Sequence, residues 1–299
     1  MAVTIDDLPF VNPGGTNFLT NAQRATTKIL RSLRAHQPPA IGFVIESRLH
    51  ATGEVDQRIA LLQQWVDAGM TLGNHTYSHR SFNDLTVDQF QDGIIEGGVI
   101  TRRLMEPHKP YQLYFRHPMT HTGDTQQKRE AIMKFLTARG YRITPHTIEN
   151  SDFIFNMPYA QALQNGDTAL ARRLLGSYLD YNLAVTKFAE RISVEIFGRE
   201  VAQTLAIHAN DINADSLATM LSGWEERGEE SQLSRRSRAT AMGGGSVLGH
   251  PSTEALVDVP VSPSVAFPPK LRHHGCSSRC NPLILGAIRS KGCVNLPQS

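Results

Sequence analysis

From Ala2 to about Gly228, short apolar runs alternate with amphipathic stretches, and this alternation limits the fold more than any other feature of the chain. Strands are expected over residues 2–5, 40–45, 70–73, 111–115, 141–147 and 202–207. Helical spacing of apolar residues covers 21–36, 55–68, 86–105, 126–139, 158–175, 177–197 and 213–227. Pro38-Pro39, Gly69 and Gly140 punctuate the pattern, and Thr86-Val87-Asp88-Gln89 reads as a capping box. Strands separated by helices argue for a parallel sheet or barrel. In such folds functional groups gather where strands end. Polar residues stand at those places here: Asp6 and Asp7, Arg116, Asp152 and His208.

One stretch carries chemistry by its spacing. In Gly73-Asn74-His75-Thr76-Tyr77-Ser78-His79 two histidines stand four apart. On a helix this spacing puts both rings on one face, about 6 Å apart at Cβ; a loop after a strand can also bring them together. Such a pair supplies two nitrogen ligands to a zinc-class ion, and a third ligand must come from elsewhere. The candidate is Asp6-Asp7, where the first apolar run stops at two carboxylates. Read alone, such a pair is a turn or a helix cap. Read alone, His-x-x-x-His falls short of a site.

The ordered set of segments changes that balance. Thr4-Ile5-Asp6-Asp7 is followed by His75-Thr76-Tyr77-Ser78-His79 and by Phe115-Arg116-His117-Pro118. Asn150-Ser151-Asp152-Phe153 and Leu205-Ala206-Ile207-His208 come after them. This order resembles the polysaccharide deacetylase family, the NodB-homology domain of carbohydrate esterase family 4, over roughly residues 2–228. The resemblance implies an α/β fold, a distorted (β/α)7-type barrel. It implies a metal-dependent hydrolase that removes N-acetyl groups from a chitin- or peptidoglycan-like amino-sugar polymer or oligosaccharide and releases acetate. By the same resemblance Asp7, His75 and His79 hold a divalent metal, zinc first, with cobalt and manganese as alternatives. Asp6 is the general base and His208 the general acid. Arg116, together with Asp152, sets the orientation and charge of Asp6. Leu205 and Ile207 belong to the motif whose apolar residues help enclose the acetyl methyl, with either one open to that role.

Three departures bear on substrate. Phe153 stands where the family commonly has Trp, Glu149 where it has Asp, and the glycine after the Arg-x-Pro motif is displaced to Gly123, with His121 before it. Two rival readings follow: a catalytically impaired carbohydrate-binding protein, and a hydrolase of O-acetyl esters or other small amides on the same fold.

Composition sets the remaining bounds. At 299 residues and a net charge of +2 the chain can bury a large core, and its charge gives no reason to expect nucleic acid. No apolar run approaches the ~20 residues of a membrane span. The first strand follows Met1 at once and no signal peptide is visible, a departure from a family that usually works outside the cytoplasm. The expected catalytic domain is 1–228. Residues 229–299 hold one aromatic, Phe267, and all three cysteines, Cys276, Cys280 and Cys293. They read as a low-complexity tail, disordered or translated out of frame.

Overall fold

The computed structural model describes residues 1–13 and 17–241, with side-chain burial as far as residue 228. Seven strands form one sheet: β1 (Ala2–Leu8), β2 (Ala40–Val44), β3 (Thr71–Asn74), β4 (Leu113–Phe115), β5 (Tyr141–Ile143), β6 (Ile148–Glu149) and β7 (Thr204–His208). Their order is β5-β4-β3-β2-β1-β7-β6, and every pairing is parallel.

The connection between β5 and β6 explains how this sheet curls. These strands occupy its two ends, yet only residues 144–147 separate them. Six inter-strand gaps laid flat would span roughly 29 Å. Five residue steps reach at most roughly 18 Å. The sheet must therefore wrap until its ends meet. The backbone shows the closure directly: the Thr144 amide donates to Phe115 O beside β4, and the Thr147 amide donates to Thr204 O on β7. The single strand expected over 141–147 is thus one extended segment that pairs first with one end of the sheet and then with the other. The result is the distorted (β/α)7-type barrel.

Among the described residues eight α-helices accompany the strands: α1 (Phe18–His36), α2 (Val55–Asp67), α3 (Val87–Glu96), α4 (Val99–Met105), α5 (Gln126–Ala138), α6 (Asp152–Gln164), α7 (Thr168–Phe197) and α8 (Asp211–Ala241). Two boundaries differ from expectation. The helix expected over 86–105 breaks at Gly97-Gly98 into α3 and α4. The break expected at Gly176 lies instead at Asn165-Gly166-Asp167, where Gly166 takes φ 69° and the Asp167 carboxylate accepts from the Leu170 amide at 2.9 Å. That acceptor satisfies a free N–H in the first turn of α7.

The main core lies between β1, β2, β7 and helices α1, α2 and α8, with Ile5, Leu33, Leu62, Trp65, Leu205 and Leu217 all sealed from water. A second cluster joins Phe82, Phe90, Phe115, Ile132 and Leu136 around β4. The boundary expected at residue 228 falls inside α8. The irregular tail expected beyond it lies, after residue 241, outside the described residues.

Candidate metal centre and its acid–base pair

The strands set the site by register. Residues paired directly in a parallel sheet point to the same face, and alternate residues point to opposite faces. Thr4 pairs with Ala206 and Asp6 with His208. These four therefore share one face near the ends of β1 and β7. Val3, Ile5, Leu205 and Ile207 take the other face and are buried in the helix-covered core. This corrects one expectation. Leu205 and Ile207 pack toward the helices and cannot enclose a substrate methyl group at this face.

β1 runs through both carboxylates rather than stopping before them, and Asp7 adopts φ 70°. A side chain rarely takes this left-handed conformation without support. Here it turns the Asp7 carboxylate toward the loop after β3. That loop is no helix. His75 directly follows β3, and Thr76 and His79 take φ 65° and 54°. The Asn74 side chain accepts from the Thr76 amide at 2.7 Å, and the Thr76 hydroxyl accepts from the His79 amide at 3.1 Å. The two imidazoles meet edge to face, with centroids 4.9 Å apart.

His75 Nε2 lies 3.5 Å and His79 Nε2 3.4 Å from the same atom, Asp7 Oδ1. That oxygen is buried and accepts no hydrogen bond. His75 Nδ1 donates to Arg116 O at 2.8 Å, so its Nε2 presents a lone pair. Burial holds the His79 ring neutral, its pKa down to about 4 even though Asp7 pulls it up. Burial pushes the Asp7 carboxyl up, but its charged surroundings, the Arg48 guanidinium among them, hold it well below the usual carboxylate range. Lone pairs facing a carboxylate oxygen at this distance repel unless a cation lies between them. Two ligand atoms about 2.0–2.2 Å from zinc stand roughly 3.3–3.6 Å apart at a tetrahedral angle. The three side chains fit a zinc-class ion by donor type and by spacing.

Asp6 sits beside this triad, buried, with Oδ1 unpartnered and Oδ2 4.0 Å from Arg116 Nε. Arg116 is fixed by other contacts: one terminal nitrogen donates to Thr4 Oγ1 at 2.7 Å, and the other bonds His146 Nδ1. Burial, and the charge of Arg116 next to it, keep the His146 ring neutral, with its pKa down to about 4.

Asp152 takes a different place from the one expected. It belongs to His208, and none of its hydrogen bonds or ion pairs goes to Asp6 or Arg116. Asp152 Oδ1 meets His208 Nδ1 at 2.7 Å, and Oδ2 accepts from the His208 amide at 2.8 Å. Asn210 donates to Oδ2 at 3.1 Å, and Asn213 donates to it as well. Burial opposes the charged form of His208, but Asp152 outweighs it, and Asp7 and Asp6 add to the effect, so its pKa is pushed up to about 10. His208 is therefore an imidazolium at neutral pH, and its Nε2 is the ring nitrogen left to give up a proton.

Sequence reading did not find Arg48 on Asp7, His146 on Arg116, or the asparagines around Asp152. Each depends on a loop reaching another element, and no local spacing announces it. A cavity of about 750 Å³ lies at the other end of the strands, lined by Met1 and Gln203 among others. Asp7 and His208 stand at the opposite strand ends.

Residues 1–129 match the family described as polysaccharide deacetylase. The match includes Asp6, Asp7, His75, His79 and Arg116; Asp152 and His208 join them through the fold. No curated protein matches the chain. Among solved structures, a CE4 family pseudoenzyme from Bacillus anthracis is 17% identical with a TM-score of 0.49, covering 76% of this chain and 60% of that one. The chain thus spans about three fifths of that protein. A peptidoglycan N-acetylglucosamine deacetylase is 17% identical with a TM-score of 0.48, covering 76% of this chain and 82% of that one. A family 4 carbohydrate esterase from Streptomyces lividans in complex with acetate gives 17% and 0.46, with coverage of 76% and 88%. Likenesses this distant speak for no shared activity.

Proposed function

We propose that this chain, which carries the polysaccharide deacetylase homology over residues 1–129, is a metal-dependent hydrolase that removes N-acetyl groups from an amino-sugar polymer. The observation that carries this reading is the pairing of Asp6 with His208 across β1 and β7, beside the Asp7–His75–His79 cluster. Amide hydrolysis needs a polarised carbonyl, an activated water, a base and an acid. A zinc-class ion held by Asp7, His75 and His79 supplies the first two when bound, as a Lewis acid that lowers the pKa of water from ~15.7 toward about 7.

The chain's own groups supply the rest. Asp6 takes the proton of the attacking water on its free Oδ1. Arg116, held by Thr4 and His146, keeps a positive charge near Oδ2 and fixes the side of Asp6 that faces away from the water. His208 gives its Nε2 proton to the departing amine, and Asp152 holds the ring so that this proton is present at neutral pH. One carboxylate accepting and one imidazolium donating, on neighbouring strands, match the proton traffic of C–N cleavage.

Bond type and polymer are decided by a panel: N-acetylated chito-oligosaccharides, peptidoglycan fragments and O-acetylated xylan, each assayed for acetate with and without a chelator. The reading expects chelator-sensitive acetate release from an amino-sugar substrate. Release from xylan alone would move the activity to esters. Saccharide binding with no acetate from any substrate would make the protein a carbohydrate binder.

A further inference from the structure

Arg48 lies outside every motif in the sequence, yet it makes the closest polar contacts to the proposed metal ligand Asp7. Its Nη1 donates to the Asp7 carbonyl at 2.9 Å and its Nη2 to Asp7 Oδ2 at 3.1 Å. Nη1 also reaches Phe10 O at 3.4 Å. The arginine is held in turn, because Arg58 Nη1 donates to Arg48 O at 2.6 Å. Arg58 is braced by Glu54 at 2.7 Å and stacks over the Phe18 ring at 3.8 Å. A chain of contacts thus runs from α2 to the left-handed residue at the end of β1.

The consequence lies in which oxygen is left over. Arg48 occupies Oδ2, and Oδ1 is the atom that faces His75 and His79 without a hydrogen bond. A carboxylate that chelates through both oxygens fills two coordination positions; one held on its far oxygen fills a single position. We infer that Arg48 is a positioning residue that locks Asp7 into single-oxygen ligation through Oδ1. Open positions are thereby kept for water and substrate. This rests on the metal reading above. A lysine cannot take the role, since one ammonium lacks the planar fork that grips carbonyl and carboxylate together.

The test uses the metal-stripped full chain, Arg48→Gln and Arg48→Lys, each titrated with Co²⁺. Calorimetry reads the Kd, and the visible absorption per cobalt reads coordination number, which lowers the absorption as it rises. The wild-type protein binds one cobalt. Arg48→Gln weakens the Kd about 10- to 100-fold, the usual cost of losing a group that orients a ligand, and lowers the absorption as Oδ2 joins the ion. Arg48→Lys keeps the charge without the fork and falls between the two. Should Arg48→Gln fail to fold, the Lys variant decides alone. Variants that lose thermal stability but keep the wild-type Kd and spectrum overturn the inference and leave the metal reading intact. A wild-type chain that takes up no cobalt overturns both.

Discussion

Asp6 and Asp7 are neighbours in sequence with different surroundings. Asp7 faces two imidazoles and Arg48, whereas Asp6 faces Arg116 and has a free oxygen. Asp7→Asn is expected to lose metal and turnover together. Asp6→Asn is expected to keep one metal per chain and lose about 10²–10⁴-fold in turnover, the usual contribution of a general base. Metal analysis and acetate assays on both variants check this, and equal metal loss would show that the carboxylates are not divided. The His208–Asp152 pair gives a second expectation. The pKa of His208 is raised from 6.5 to about 10. Its contribution to stability is therefore complete below about pH 6.5 and disappears as pH rises through about 10. Asp152→Asn breaks a buried pair and is expected to cost about 3–5 kcal/mol at pH 6, with the gap to wild type narrowing toward pH 10. The alkaline limb of kcat/KM should drop from near pH 10 toward the ordinary histidine range. Urea melts and pH–rate profiles of the two proteins measure both. The histidines and carboxylates were legible as residue types in ordered motifs. The partner of Asp152 was not, because contact between a helix start and a distant strand end follows from barrel closure and not from spacing.

At the scale of elements, local signals that close on themselves were readable. The capping box at Thr86 forms as spelled, with Thr86 Oγ1 accepting from the Gln89 amide and Gln89 Oε1 accepting from the Thr86 amide. The break at Gly97 was hidden because its cause lies in another segment. A Cβ on Gly97 would come within 2.3 Å of the Thr76 carbonyl carbon and 2.5 Å of the Tyr77 nitrogen. The glycine lets the histidine loop press its backbone against the α3–α4 junction, where the Tyr77 amide donates to Gly93 O at 2.8 Å. Backbone atoms cannot swing aside as a side chain can, so Gly97→Ala must move the loop. The expected cost is about 1–3 kcal/mol for overpacking, together with weaker metal binding, since His75 and His79 flank the displaced residues. Thermal melts and metal titration of Gly97→Ala read both quantities. A variant with lowered stability and unchanged metal affinity would show that the loop holds its geometry without this contact. Gly176, by contrast, has open space around it. It sits inside α7 as a tolerated glycine, although in sequence it reads as a stop.

For the whole molecule, alternation fixed the class of fold, while closure depended on a length comparison that strand prediction does not make. The four residues joining β5 to β6 are too short to cross a flat sheet, and this is what brings His146 beside Arg116 and Asp152 beside His208. The barrel thus brings Asp6 and His208, the base and acid of the proposed reaction, beside the Asp7–His75–His79 cluster from segments about two hundred residues apart. The most direct measurement is acetate released from an N-acetylated chito-oligosaccharide by metal-stripped protein titrated with zinc. The account predicts negligible release without metal, a rise in proportion to added zinc, and a plateau at one equivalent per chain. Release that is undiminished by stripping, or no release at one bound zinc per chain, would contradict it.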